Sequence, residues 1–513
     1  MKKLTLFSFL LIAYWFAVFF INRFFFILYQ LPVDHKIKNS FEIFRAFYKG
    51  QALDLSVATM FTLPVLLLAL AFFVTNKPFL VKTLQVLMLC FLMMYVAIGL
   101  TDAGLYKEWN AKINMQALSH FKNPAEVFKT VSTHLLILFI ILLGALTIPF
   151  HFFYRKKIQS LLIADQETSW KKKIVPALLF FLISSGAGII AVRGGVGDVA
   201  LNQSFAYFSN ETLANDMAVN PFYTLLQDID INSKLPDTSI YKFCTNTEAQ
   251  QHIASDYQAT KDSTISVLKT NRPNIVYIFL ESWSADNVGA LGGLEGCTPE
   301  FDKLCAEGLL FTKAYSDAYV SDQGIVTGLS AYPAAHRMAI ANQPGKIAQL
   351  PCISEELISL GYRTSFLYGG DLMFGNLRGY LLEKKFQQLT EVNDLKQYPT
   401  GKLGVHDEFT FKELLSTLNT NTEPFFQGYF TMSTHMPYDY AAESDWHSSA
   451  KDVEKQYTES VHYSDRQLGL FFDEAKKQSW YDHTLFVLVS DHSHNSIKQW
   501  DVKSAMRQHI PLM

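Results

Sequence analysis

Five stretches of the chain run the length of a membrane span without a single Asp, Glu, Lys or Arg: Leu4 to Asn22, Leu55 to Asn76, Thr83 to Thr101, Leu135 to Tyr154 and Ile174 to Val192. About twenty apolar residues carry a helix across a bilayer, where hydrocarbon offers the backbone no hydrogen-bond partner and each peptide group must be satisfied within the helix. One such stretch could be a cleaved signal or a buried core helix, but five spaced ones predict a bundle of five spans. Basic residues near span ends stay on the cytoplasmic side. Lys2 and Lys3 precede the first span, Lys77 and Lys82 flank the second-to-third loop, and Arg155 to Lys157 with Lys171 to Lys173 crowd the fourth-to-fifth loop. With those three segments inside, everything after Arg193 is expected outside the cytoplasm, together with the loops Arg23 to Asp54 and Asp102 to Thr133, which could form part of a lipid-headgroup site.

After Arg193 the pattern changes. Residues up to about Asn271 are polar with short apolar clusters and read as a connector holding one or two helices. Asn274 to Leu280 is then a continuous β-branched and aromatic run behind a proline, as expected of a strand buried on both faces. Further strands are predicted at Leu309 to Phe311, Thr364 to Leu367, Phe425 to Met432 and Thr484 to Val489, with helices at Pro299 to Ala306, Ile353 to Leu360, Phe409 to Leu418 and Tyr457 to Ala475. Such alternation predicts a doubly wound α/β domain with a mostly parallel sheet. The expected domains are residues 1–192, a five-helix membrane domain; 193–271, an extracytoplasmic linker; and 272–513, a catalytic domain.

Composition agrees with a membrane portion: the 513 residues include 42 Phe, and mean hydropathy is above zero. A net charge of −3 and the lack of a long basic stretch with interleaved aromatics argue against a nucleic-acid partner. The five cysteines form no CxxC pair; Cys297 and Cys305 could bridge in an oxidising compartment if a suitable turn joins them.

Ligands of open α/β sheets sit past the carboxyl ends of the strands, so the residues there carry the candidate chemistry. Glu281 and Ser282 follow the first predicted strand; by position alone, a carboxylate there is more often an ordinary strand-end residue than a metal ligand. The last predicted strand ends in Val489-Ser490-Asp491-His492-Ser493-His494. Three potential ligands within four residues suit Mn, Mg or Zn, and the second histidine could bind a phosphate oxygen, against the alternative of a polar loop with chance histidines. Val320-Ser321-Asp322-Gln323-Gly324-Ile325 leads into a helix predicted over Gln323 to Ser330. Ser321 could simply cap that helix, but a helix N-terminus also receives phosphate, and coordination to a divalent metal can activate a serine without a histidine base.

Taken in order, the five spans, the linker, Phe279-Leu280-Glu281-Ser282, Ser321-Asp322-Gln323-Gly324 and Ser490-Asp491-His492-Ser493-His494 resemble the lipoteichoic acid synthase family of the alkaline phosphatase and sulfatase superfamily. Thr298-Pro299-Glu300-Phe301-Asp302-Lys303-Leu304 and Ser330-Ala331-Tyr332-Pro333 resemble further family turns. The resemblance implies an α-helical five-span membrane domain plus an α/β alkaline phosphatase/sulfatase-like domain with a central, mostly parallel sheet. It also implies one divalent metal ion, Mn2+ by family habit with Zn2+ or Mg2+ as alternatives, held by Glu281, Ser321, Asp491 and His492, with Ser321 as nucleophile. His435, in Tyr429 to Pro437, would contact the headgroup or leaving group. Asp371, in Tyr368-Gly369-Gly370-Asp371, would contact a glycerol hydroxyl or serve only as a turn aspartate; His494 completes the substrate-binding set.

The implied activity is transfer of a phosphoglycerol-like headgroup from a phospholipid donor to an envelope glycan or lipid acceptor at the cell membrane, through a phosphoserine. Val320, Gln323, Leu377 and Ser493 depart from the family pattern. The apolar run Ile510 to Met513 reads as the start of a further strand, so the domain is expected to be cut short there. Phosphoethanolamine transfer and hydrolysis are rivals, as is a degenerate, non-catalytic membrane relative. A sulfatase is disfavoured because the Ser321 segment lacks the Pro and Arg of the formylglycine motif. Five uncharged span interiors offer no ion path, against a transporter.

Overall fold

The computed structural model describes residues 2–30, 41–109, 111–120, 133–163, 170–234, 243–256, 258, 267–268, 270–334, 339–440, 446–448, 452–494, 497–501 and 503–513. It divides into two compact units, Met1–Lys234 and Leu235–Met513. Much of the two loops assigned to the outer side, residues 31–40 and 121–132, lies outside the described residues, as do residues 235–242 of the connector.

In the first unit the five apolar stretches form helices α1 (Lys2–Gln30), α2 (Gln51–Thr75), α3 (Pro78–Trp109), α4 (Thr133–Phe153) and α5 (Trp170–Arg193). Each lies in a helix long and apolar enough to cross a membrane. Aromatic rings fill the space between helices: Trp15 meets Phe61 at 4.7 Å between centroids, and Phe19 meets Tyr95 at 4.4 Å. Arg23 and Asp54 form a buried ion pair at 2.7 Å. A buried pair is tolerable only when its remaining donors and acceptors are also engaged. Arg23 Nε donates to the Met217 carbonyl, and Asn220 Nδ2 donates to Asp54 Oδ1. These bonds tie the segment after α5, including the helix Pro221–Lys234, into the helical unit.

The second unit is built on β1 (Asn274–Leu280), β2 (Arg363–Tyr368), β3 (Gln388–Thr390), β4 (Phe425–Phe430) and β5 (Thr484–Ser490). Their order is β3-β2-β4-β1-β5 and every pairing is parallel. Helices α6 (Pro299–Glu307), α7 (Ser321–Ser330), α8 (Ile353–Ser359), α9 (Leu377–Glu383), α10 (Asp407–Thr420) and α11 (Asp452–Ala475) cover the sheet. Alternate residues of β1 supply two cores, because successive strand side chains point to opposite faces. Val276, Ile278 and Leu280 pack with Trp283, Phe301 and Phe471, whereas Phe279 packs with Ile325, Val326 and Leu329 of α7. Each such large side chain taken out of water contributes about 1.5–3 kcal/mol.

The run Leu309 to Phe311 is not a strand. It is three residues long, Leu309 and Phe311 are exposed, and the Phe311 amide makes one backbone bond, to Leu512. The short strand β3 and helix α9 were not predicted. Ile510 to Met513 does run beside β5, with an antiparallel bridge between Val489 and Leu512. All five cysteines, Cys297 and Cys305 included, are free thiols.

Candidate active site

Parallel strands bring their carboxyl ends to one side, and the registers fix what meets there. Leu280 pairs with Ser490 and Phe279 with Phe430, so the residues after β1 lie between those after β5 and those after β4. Glu281 is thereby set beside Asp491, and one ligand atom each from Glu281, Asp491 and His492 falls within 4.8 Å of the others.

Helix α7 brings the hydroxyl. It begins at Ser321, two residues before the predicted start, and Val320 rather than Ser321 occupies the capping position. The serine side chain is therefore not spent on a cap: Ser321 Oγ donates to Glu281 Oε2 at 3.1 Å and lies 3.4 Å from His492 Nε2. Two glycines set the helix this close. A Cβ on Gly324 would stand 2.3 Å from the Asp491 carbonyl oxygen, and one on Gly328 would stand 2.6 Å from the Phe279 ring.

The electrostatics are those of a site built for positive charge. Burial, and then the neighbouring Asp491, push Glu281 up to about 7. For His492 burial acts downward, but Asp491 and Glu281 outweigh it and raise the imidazole above its ordinary value. Asp491 Oδ1 accepts the Ser282 amide at 2.8 Å, while Oδ2 is buried with no hydrogen-bond partner among the described residues. His492 Nε2 stands 3.5 Å from that oxygen. An orphaned carboxylate oxygen, a second carboxylate, an imidazole and a hydroxyl around one point are a donor set that fits a divalent cation.

The candidate substrate residues divide. His435 is within electrostatic reach of Glu281, its Nδ1 lies 2.6 Å from the Met436 carbonyl, and its ring faces Phe374 edge-on at 6.5 Å. His494 stacks on Tyr457 at 4.0 Å with Nε2 3.3 Å from the Tyr438 hydroxyl; burial and then the charge of His492 pull it down to about 4, so it is neutral. Asp371 accepts the Met373 amide as a turn aspartate does. Buried Tyr368 is held well above its ordinary value by burial and then by Glu281, Asp491 and Asp371.

Sequence reasoning passed over several residues that hold the site. The Glu281 amide donates to Thr431 Oγ1 at 2.8 Å, and Thr434 Oγ1 donates to the Glu281 carbonyl oxygen at 2.5 Å. Ser282 Oγ donates to Glu281 Oε1 at 2.7 Å. Their positions directly after β4 and β1 were the available signal.

Residues 273–513 match the sulfatase family model. Lipoteichoic acid synthase 2 of Bacillus subtilis (strain 168) is 26% identical over 289 residues, covering 53% of this chain and 42% of that protein; the chain spans about half the length of the curated relatives it matches. Among solved structures, an alkaline phosphatase superfamily protein from Vibrio parahaemolyticus superposes with a TM-score of 0.47 at 28% identity, covering 53% of this chain and 69% of that one. A lipoteichoic acid synthase from Listeria monocytogenes gives 0.42 at 20% identity, covering 47% and 64%. Behind its five apolar helices the chain thus matches the sulfatase family model over residues 273–513 and is similar in sequence to lipoteichoic acid synthases.

Proposed function

We propose that this chain is a multi-pass membrane phosphotransferase, its second unit outside the cytoplasm, that moves a phosphoglycerol-like headgroup from a phospholipid to an envelope glycan or lipid acceptor through Ser321. The observation that carries the reading is the meeting of the Ser321 hydroxyl, at the start of α7, with Glu281 and His492 beside the orphaned Asp491 oxygen. Glu281, Asp491, His492 and Ser321 would hold one divalent cation, Mn2+ by family habit. Such an ion supplies Lewis acidity, making the serine hydroxyl easier to deprotonate and offsetting phosphate charge.

The rest of the chemistry belongs to the chain. Ser321 Oγ, oriented by its bond to Glu281 Oε2, gives up its hydroxyl proton to solvent as it forms its bond to phosphorus. The bond from phosphorus to the diacylglycerol oxygen breaks in line, and His435 at the rim can protonate that oxygen as it leaves. Ser321 is the first residue of α7, where the helix dipole favours anions. An acceptor hydroxyl then attacks phosphorus from the vacated side and gives its proton to His435, the Oγ–P bond breaks, and Ser321 Oγ is reprotonated from solvent. Lipoteichoic acid synthases among the relatives support a phospholipid donor. Phosphoethanolamine transfer uses the same centre and differs only in headgroup contacts.

The test is to incubate membranes containing the protein with phospholipids labelled individually in their headgroups and to map any adduct by mass spectrometry. A phosphoglycerol mass on the peptide bearing Ser321 is expected. Turnover of labelled lipid by the Ser321→Ala variant overturns the assignment.

A further inference from the structure

Two hydroxyls, not one, stand at the site. Ser282 Oγ lies 3.4 Å from His492 Nε2, as Ser321 Oγ does, yet its bonds run in the other direction. Ser282 has φ +57, a left-handed conformation that non-glycine residues enter at a cost of about 1–2 kcal/mol. In that conformation its side chain turns back to donate to Glu281 Oε1 while its amide donates to Asp491 Oδ1. The conformation is held from behind by the Tyr457 hydroxyl, which donates to the Ser282 carbonyl at 2.6 Å. Both carboxylates are therefore engaged by this single residue through one oxygen each. The oxygens left over are Glu281 Oε2, which faces Ser321, and Asp491 Oδ2, which has no hydrogen-bond partner among the described residues.

We propose that Ser282 is a positioning residue that assigns the oxygens of Glu281 and Asp491, turning one of each outward and presenting the other to a divalent cation. The inference rests on the reading of Glu281, Asp491 and His492 as cation ligands. Each hydrogen bond would set the rotation of its carboxylate, leaving Glu281 Oε2 and Asp491 Oδ2 as the oxygens turned toward the cation. The left-handed backbone is the setting in which both bonds are made, the hydroxyl reaching the preceding side chain while the amide reaches Asp491 just after β5. Outer bonds of this kind typically change metal affinity by about 10- to 100-fold.

The experiment uses the full-length protein, purified in detergent and freed of metal, with Mn2+ alone as probe and affinity read by calorimetry. Ser282→Gly removes the hydroxyl but accepts the left-handed backbone and keeps the amide, so it is the variant expected to fold; Ser282→Ala removes the hydroxyl and retains the strain. Both should bind Mn2+ about 10- to 100-fold more weakly, with Ser282→Gly unfolding no earlier than wild type when metal-free. Wild-type affinity in Ser282→Gly overturns the proposal. Glu281→Ala separates the two levels of failure. If it loses Mn2+ binding while Ser282→Gly does not, only the role of Ser282 falls; if it too binds normally, the cation reading and this inference fall together.

Discussion

Glu281 Oε2 and Ser321 Oγ stand 3.1 Å apart although forty positions separate them along the chain. One ends a central strand and the other begins a helix that crosses the sheet, so no local sequence preference brings them together; the packing of α7 on β1 does. Ser321→Ala should therefore reduce headgroup turnover by on the order of a thousandfold or more, as loss of a nucleophile does. Ser321→Thr, which keeps a hydroxyl at the same atom, should retain activity within about tenfold. Radiolabelled lipid turnover by both variants in membranes measures this, and equal loss in both would remove the hydroxyl from the chemistry.

Gly324 is the contact that lets α7 approach. With 2.3 Å between an added Cβ and the Asp491 carbonyl oxygen, Gly324→Ala has to push the helix and the Asp491 turn apart. Overpacking of this kind costs about 1–3 kcal/mol. The expected outcome is lower thermal stability together with loss of turnover, whereas Gly104→Ala, whose Cβ would meet open space, should leave both unchanged. A fully active Gly324→Ala protein would show that the spacing does not matter.

Asp465 makes a pH prediction away from the site. On α11 and fully buried, it accepts the amides of Glu300 and Phe301 at the start of α6. Burial dominates those bonds and pushes its carboxyl from an ordinary 3.8 up to about 7. The folded state thus holds this proton more tightly than the unfolded chain, so the stability it contributes is full below about pH 4 and is lost as pH rises through about 7. Asp465→Asn cannot titrate and should lose that part of the decline. Denaturant unfolding between pH 4.5 and 8, read by hydrogen exchange over Pro299–Glu307, checks it; parallel curves for variant and wild type would count against a raised carboxyl.

The proposed orientation puts Cys244, an exposed free thiol of the second unit, outside the cytoplasm. A membrane-impermeant maleimide added to intact cells should label the protein, and Cys244→Ser should lose most of that labelling because Cys297 and Cys352 are buried, Cys305 is half-buried and Cys90 lies within the apolar helix α3. Labelling that requires permeabilised cells would invert the topology.

The strands of the second unit were legible where they are long and central. Asn274 to Leu280 needed no change, because a strand covered on both faces writes itself as an unbroken apolar run. Leu309 to Phe311 failed on the same criterion: three apolar residues are too few to separate a strand from an exposed loop. Strand β3, with Gln and Thr at an edge, carries almost no apolar signal. At the site, Asp491 and His492 announced themselves by chemical type at a strand end, whereas Glu281 took its expected role from the family resemblance. Ser282, Thr431 and Thr434 did not, since a serine or threonine after a strand looks the same whether it holds a carboxylate or faces water; only the left-handed φ of Ser282 and the hydrogen bonds tell them apart.

Because all five strands run in one direction, each crossover returns to the far edge and each turn at the near edge is anchored separately. The turn after β2, running from Gly369 to Asn376, is fastened by bonds of its own to Glu391 and Ala341, and it touches α7 where Gly375 packs against Asp322, so a change there would be felt one residue from Ser321.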